Sequence, residues 1–541
     1  MEFPEGAQES LSRFLPFWPS SYNGMKETPI ETPFFDKFPV HPKSPKRSIS
    51  MNKMLERLFI KAGVKLARKS PAFRGKIREL VTGSLKESYE SLVEDQKALD
   101  YQRVLGISVW PFLESLFLNK PKAAENVINF ALQWSHDMKK RVLSRRKGLI
   151  APDTYVVEPT NACNLKCPGC YALSEQTGSE LPYQVLEKID DEMKEVGVTL
   201  TTISGGEPFI AEKKDKVISR LAEHNKKKND SAFLVFTNGT LIDEEIAKRM
   251  GDLGNIWPAI SIEGFGESTK RRRGDKIVDQ IKKAKNNLDK HGVMYGFSAT
   301  VTRLNAEEIA SDRFFVERIS ERDNFGYFFI YQPIGRTVDA DLMVTGEQRY
   351  NLGKKIMEMQ IENGVPLFLG DFWNYGPFVE GCIAAGRCYF HIMADGTISP
   401  CVFSPFGVAH LNEIESFSGF PGFVNGNKRF SNIQDVITNQ ETMVFYREQQ
   451  DKIKDRFRPC VLIDHPDYAR EIFSQKHCVE TNNTPIDYFK GRTADIIDQR
   501  AKEWKEVWSP KLKEYAESLV AKKSEESVTR SYKIFQKSWQ Y

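Results

Sequence analysis

Apolar positions along this chain follow two rhythms. Between about Tyr155 and Val365, short runs rich in Val, Ile, Thr and Phe alternate with charged stretches whose apolar residues recur at helical spacing. The runs are "TYVVEPT" at 154–160, "TLTTISGG" at 199–206, "AFLVFTNG" at 232–239, "IWPAISIEG" at 256–264, "YGFSATVT" at 295–302 and "YFFIYQPIG" at 327–335. Residues 183–196, 243–253 and 276–290 between them read as helices. Continuous apolar strands alternating with helices predict parallel β/α units with both strand faces covered. Six such units favour a partial barrel over a full eight-unit one, with an open doubly wound sheet as the alternative. The expected fold class is α/β: a partial (β/α)6 TIM-like barrel with a helical N-terminal extension and a Cys-rich C-terminal domain.

Elsewhere the pattern changes. Residues 1–150 open on an irregular arm rich in Pro and aromatics and continue as helices, including 51–69 and 123–141. Residues 151–369 hold the six units, 370–485 are rich in Cys, Gly and Pro, and 486–541 read as a charged helical tail. Residues 41–80 carry twelve Lys and Arg against two Glu. The segment 51–69, with Lys61 and Lys65, permits peripheral contact with an anionic membrane surface. The commoner reading of such a pattern is a helix packed on the barrel with solvated lysines.

With 541 residues, the chain predicts two to four domains. No apolar run is long enough to span a bilayer, and the first residues show no secretory pattern. A net charge of +4 gives no bulk footprint for nucleic acid, so none is expected as a partner. The eight cysteines are clustered, with none before Cys163. That distribution points to metal ligands or catalytic thiols in a reducing cytoplasm, not to a disulfide scaffold.

Cys163, Cys167 and Cys170 in "TNACNLKCPGCYA" give the spacing C-x3-C-x2-C directly after the first predicted strand. In parallel β/α folds that edge carries the active site. Structural zinc takes four protein ligands. Three thiolates on a four-iron cluster would leave one iron open to a small molecule. A zinc site completed by a distant His or Cys is the alternative.

Several features in order then resemble the radical S-adenosylmethionine (SAM) superfamily: the three-cysteine loop, "SGGEP" at Ser204–Pro208, Thr237–Asn238–Gly239, "SIEG" at 261–264, "SATVTRLN" and "YQPIGR". The resemblance covers about 154–337. It implies a [4Fe-4S] cluster on Cys163, Cys167 and Cys170, with SAM at the open iron. The SAM-binding residues it implies are Tyr171, Gly205, Gly206, Glu207, Pro208, Asn238, Ser261 and Glu263, with Glu207 facing the methionine ammonium. Glu263 stands where the family has Asp. The family places an aromatic before the last cysteine; here that residue is Gly169, and Tyr171 is the candidate to sit near adenine. Arg271, Arg272 and Arg273 read as a solvated basic face, with the SAM carboxylate as their alternative partner. The implied activity is reductive cleavage of SAM to a 5′-deoxyadenosyl radical that takes hydrogen from a substrate: a peptide, small molecule or lipid. A low-potential donor such as ferredoxin or flavodoxin would supply the electron. The contrasting reading is a non-catalytic iron–sulfur or zinc protein in electron transfer or assembly.

Later, "GCIAAGRCYFHIMADGTISPC" gives C-x13-G-x4-C from Cys382 to Cys401, with a turn at Asp395–Gly396. This is similar to the SPASM or twitch auxiliary-cluster extension. It implies one auxiliary [4Fe-4S] cluster on Cys382, Cys401, Cys460 and Cys478, with Cys388 spare or replacing one of them. A four-cysteine zinc site is the alternative. His391, His410, His465 and His477 are further candidate ligands, though a lone His is more often packed or exposed.

Overall fold

The computed structural model describes residues 60–78, 96–172, 174, 178–228, 231–420, 422–423, 427–475, 477–481 and 488–525. Seven parallel strands form in sequence order: β1 (Thr154–Val157), β2 (Leu200–Ile203), β3 (Ala232–Thr237), β4 (Ile256–Ser261), β5 (Gly296–Val301), β6 (Phe325–Ile330) and β7 (Phe368–Asp371). Each pairs with the next, so the order never reverses as it would in a doubly wound sheet. The first six coincide with the predicted apolar runs. The seventh, "FLGD", is too short and too polar at its end to register in the pattern, and the expected boundary at residue 369 falls inside it.

The Cys-rich segment continues this sheet at its other edge. β8 (His391–Ile392) pairs parallel to β1, and β9 (Thr397–Ser399) returns antiparallel to it through Asp395–Gly396, the predicted hairpin turn. Gly396 has φ +92° there, the left-handed conformation that favours glycine. β10 (Phe406–Gly407) stands apart, pairing antiparallel with β12 (Val479–Glu480), and β11 (Ala409–His410) closes the order beside β9. β8, β9 and β11 thus share one ten-stranded sheet with β1–β7. The joint is polar and buried: Glu158, just past β1, meets His391 Nε2 at 3.1 Å and accepts the Ala394 N–H, while His391 Nδ1 meets Ser399 Oγ at 3.2 Å.

Alternation along the strands sorts the side chains. Tyr155, Val157, Phe233, Val235, Phe297 and Phe328 point outward into a core shared with the crossover helices. The intervening residues, among them Val156, Thr202, Leu234, Phe236, Trp257, Tyr327 and Phe368, line one common cavity, so the sheet curls around it.

At the strands' N-terminal end the helices α2 (Trp110–Asn119) and α3 (Pro121–Arg146) pack against the sheet, while the preceding α1 (Gln96–Ser108) packs on the C-terminal helix Ser509–Glu525. Pro111 and Pro121 stand in the first turns of α2 and α3, where a missing N–H costs nothing. Phe112, Val127, Phe130 and Trp134 cluster with Leu234, Trp257, Met294 and Phe325, closing the cavity at this end. Ile60, Val64 and Ala67 join the same cluster while Lys61 and Lys65 stay exposed. The described part of the basic segment, 60–69, therefore packs on the protein by its apolar face; residues 51–59 lie outside the described residues. Among the described residues no helix is long and apolar enough to cross a membrane.

The C-terminal helices are anchored as well. Trp504 is buried and donates to Phe457 O at 3.0 Å, and Leu512 and Ala516 are fully buried. The end of the expected tail, 526–541, lies outside the described residues.

Arg141 fixes α3 to the sheet. Its guanidinium pairs with Asp153 at 3.0 Å, just before β1, and donates to Gly197 O before β2. Both charges are buried. Removing one partner of such a pair strands the other and typically costs ~3–5 kcal/mol. Arg141→Met should therefore lower the unfolding free energy by an amount in that range, whereas Arg146→Met, at the exposed end of the same helix, should change it by less than about 0.5 kcal/mol. Chemical denaturation followed by circular dichroism measures both.

Candidate active site

The loop after β1 carries Cys163, Cys167 and Cys170, and its described residues form almost no regular structure. It is held by backbone from neighbouring strand ends. Gly206 N donates to Thr160 O and Glu207 N to Ala162 O, at 3.0 and 2.8 Å. On the far side Gly169 N donates to Arg336 O and Arg336 N to Cys170 O, at 3.0 and 2.9 Å. A Cβ on Gly206 would lie 2.1 Å from Ala162 O, so "SGGEP" needs glycine to seat the cysteine loop. Gly169 has φ +65°, and its Cβ would meet the Tyr331 ring at 2.7 Å. The departure from the family pattern at 169 thus has a steric cause: Tyr331, just past β6, fills the space.

All three thiols open onto the common cavity, together with Tyr171, Ser204, Gly205, Gly206, Asn238 and Ser261. Tyr171 Oη meets Ser204 Oγ at 2.5 Å, and its ring packs edge-on to Phe403. Asn238 Nδ2 donates to Asn164 Oδ1 at 2.9 Å, inside the cysteine loop. Burial pushes the Cys163 thiol up to about 12, opposed by an N–H from Leu165 at 3.4 Å. A thiolate there needs a positive partner, and iron coordination supplies one.

Glu207 behaves differently from the expectation. Its oxygens accept from Phe209 N at 3.1 Å, Thr237 Oγ1 at 2.7 Å and Asn238 N at 2.7 Å. It caps the helix α4 (Pro208–Asp215) and ties the end of β2 to the end of β3. Burial raises its pKa against those three bonds. A carboxylate has about four acceptor positions, so at most one remains for an ammonium. Neither Glu207 nor Pro208, the first residue of α4, lines the cavity.

The three arginines also need correction, because they sit at the end of helix α5 (Gly266–Arg273) and only Arg271 is exposed. Arg272 and Arg273 both pair with buried Glu263, at 2.6 and 2.5 Å. Burial would raise the Glu263 pKa, but the two guanidiniums outweigh it and hold the carboxyl below its ordinary range. Arg272 further donates to Pro168 O and Gly169 O, both at 3.1 Å. Glu263 and Arg272 thus clamp the cysteine loop from the β4 side. Sequence reasoning missed this because a run of three arginines looks solvated; the signal was its place one helix after "SIEG".

Of the later cysteines, Cys382, Cys388, Cys401 and Cys460 line the same cavity. Burial, then Asp464, then Cys382 and Cys401 push the Cys460 thiol well up, which places these three as electrostatic neighbours. Cys401 Sγ meets Tyr389 Oη at 2.9 Å and accepts the Phe403 N–H at 3.4 Å, the same i+2 contact that Cys163 makes. Cys460 is positioned by Asp464, which accepts its N–H and pairs with buried Arg349. Cys388 is drawn toward Asp153. Cys478 does not line the cavity; its thiol donates to Ile472 O at 3.2 Å. The expected four-thiol set is therefore not assembled: three members meet, and Cys478 stays apart. The four histidines are engaged elsewhere: His391 as described, His410 with Asp395 O, His465 with Arg458 O and His477 with Glu441.

Among the described residues no three His, Cys, Asp or Glu side chains converge on the geometry of a single metal ion. Three thiols on one loop that open onto a common cavity fit an iron–sulfur cluster, whose irons each take a separate thiolate.

Residues 157–315 match the family model described as Radical SAM superfamily. The matched stretch begins at the end of β1, and proteins of that family use a [4Fe-4S] cluster with SAM. Fe-coproporphyrin III synthase of Methanosarcina barkeri is 31% identical over 153 residues, 28% of this chain and 37% of the relative. Sporulation killing factor maturation protein SkfB of Bacillus subtilis is 25% identical over 280 residues, 48% of this chain and 63% of the relative. The chain therefore spans less than two thirds of the length of these two curated relatives. Mycofactocin maturase MftC of Mycolicibacterium smegmatis is 26% identical over 302 residues, 53% of this chain and 74% of the relative. Among solved structures, Streptococcus suis SuiB aligns over 66% of this chain and 84% of its own, with 18% identity and a TM-score of 0.44.

Glu263→Gln removes the charge that holds both guanidiniums. The cysteine loop should loosen at Pro168–Gly169, and iron retained after anaerobic reconstitution should fall at least about tenfold relative to total protein, consistent with losing a buried ion pair of ~3–5 kcal/mol. Iron assay and absorbance near 400 nm (about the thiolate-to-iron band) check this. A lowered folded pKa means that Glu263 contributes its full stability above the unfolded value near 4.5 and loses it as pH falls through the folded value. Acid titration of the unfolding midpoint should show that loss in the wild type and not in the Gln variant.

Proposed function

We propose that this protein is a radical SAM enzyme whose active site is the cavity at the C-terminal ends of β1–β6. The observation that carries the reading is the placement of Cys163, Cys167 and Cys170 on one loop opening onto the common cavity, seated by Gly205–Gly206. Bound there, a [4Fe-4S] cluster with SAM supplies reductive C–S cleavage and a carbon radical able to take hydrogen from an unactivated C–H bond. The chain's own residues orient and exclude. Gly205 and Gly206 let a ligand approach backbone, Asn238 and Ser261 offer polar contacts at the rim, and Tyr171 with Phe403 walls the site against water. Glu207, Glu263 and Arg272 act as positioning residues. A low-potential donor such as ferredoxin or flavodoxin fits the electron requirement.

We also infer an auxiliary [4Fe-4S] cluster on Cys382, Cys401 and Cys460, facing the same cavity. Its support is the convergence of these thiols and the N–H···S contact at Cys401 that mirrors the one at Cys163.

Two measurements test these readings. Reconstituted protein with SAM and dithionite should yield 5′-deoxyadenosine by mass spectrometry, and Cys167→Ala should reduce it to the level of a protein-free reaction. A fully iron-loaded wild type that forms none would leave the non-catalytic alternative standing. Separately, the wild type should bind about eight irons per chain, two four-iron clusters. Cys401→Ala should bring this to about four, and Cys478→Ala should leave it near eight. Equal losses in both variants would restore Cys478 as a ligand.

A further inference from the structure

The cavity does not end at the thiols. It runs down the inside of the sheet as a bore of about 400 Å³ in all, to a floor made by Phe130 and Trp134 of α3. Its composition changes along the way. The upper rim carries the thiols, Ser204, Asn238, Ser261 and Thr300. Below the rim, the lining from β2 to β7 is dominated by aliphatic and aromatic side chains such as Leu200, Leu234, Met294 and Phe368. Leu200, Tyr327 and Phe368 lie deep in the fold yet keep accessible surface, because that surface faces the bore and not another side chain.

Few polar groups enter this lower region, and most are held by the wall: Asp153 pairs with Arg141, and Ser298 Oγ lies 3.5 Å from Ser261 Oγ. Thr154 Oγ1 donates to Leu200 O and meets Thr202 Oγ1 at 3.2 Å, so both hydroxyls belong to the wall. The Tyr327 ring packs among Phe236, Phe329 and Phe372, and burial raises its pKa. A peptide placed here would bring more N–H and C=O groups than the few wall hydroxyls could pair. An alkyl chain needs no such partners.

On the reading of this site as a radical SAM centre, we propose that the substrate carries a long hydrocarbon chain, which enters the bore toward Phe130 and Trp134 and leaves its polar end at the thiol rim. Straight acyl and branched isoprenoid chains share this chemistry.

The test uses reconstituted holoenzyme and the tryptophans of the cavity wall, Trp134, Trp257 and Trp373. Dibromostearate should quench tryptophan emission saturably, unbrominated stearate should not quench, and stearate should compete the quenching away. Geranylgeraniol as competitor separates the two sources: stronger competition than stearate indicates an isoprenoid chain, weaker an acyl chain. The double variant Leu234→Phe with Met294→Phe fills the bore and should weaken dibromostearate binding at least about tenfold. Its circular dichroism and iron content report folding; if it misfolds, the wild-type quenching still decides. Absence of saturable quenching in a wild type that forms 5′-deoxyadenosine overturns the hydrocarbon proposal alone. Quenching unaffected by a folded double variant also overturns it, since binding is then elsewhere. Saturable quenching without any 5′-deoxyadenosine supports the bore and sinks the enzyme reading instead.

Discussion

Much of this site depends on one constraint: a cysteine loop with almost no regular structure must be held to the accuracy of a packed strand. The loop cannot do this itself. Its fixed points are main-chain bonds to Gly206 and Glu207 after β2 and to Arg336 after β6, with Arg272 reaching Pro168 and Gly169 from the β4 side. Strand ends are suitable anchors because ladders on both sides already fix them. The glycine at 206 follows from the same requirement, since any side chain would push the two backbones apart.

Three buried glutamates serve this arrangement in parallel ways. Glu158 after β1 joins the sheet to the β8–β9 hairpin, Glu207 after β2 joins β2 to β3, and Glu263 after β4 holds the arginines that reach the loop. Each is nearly inaccessible and each has several donors. Burying a carboxylate is unfavourable unless such donors compensate it, and losing one donor then costs about 1–3 kcal/mol. The consequence is an edge that is rigid before any ligand arrives, as precise chemistry on a bound molecule requires.

How much of this could be read from sequence follows from what each feature depends on. The six strands and the three-cysteine loop were legible because periodicity and spacing are local. β7 was not, because "FLGD" takes its strand character from pairing with β6. Glu207 was assigned to a ligand because a motif names a residue, not the direction of its side chain; the cap on α4 and the contact with Thr237 arise only when β2 and β3 are adjacent. Arg272 and Arg273 look solvated in sequence because their partner lies across a turn. Counting alone groups Cys478 with the auxiliary thiols, and only the fold shows its thiol turned to Ile472. In each miss the deciding contact is a tertiary one.

The same sheet also explains why one cavity can have two characters. Alternation gives every strand an inward set, and the inward set changes along the strand: Leu200, Thr202 and Ser204 on β2 and its end, Leu234, Phe236 and Asn238 on β3 and its end. Polar side chains gather where the loops begin, and apolar ones gather toward α2 and α3. A group passing from rim to floor therefore moves from a region that can satisfy hydrogen bonds into one that cannot. Each methylene buried in the lower part gains about 0.8 kcal/mol. Each unpaired amide or hydroxyl loses about 1–3 kcal/mol. With those signs, the lower bore favours apolar groups over polar ones.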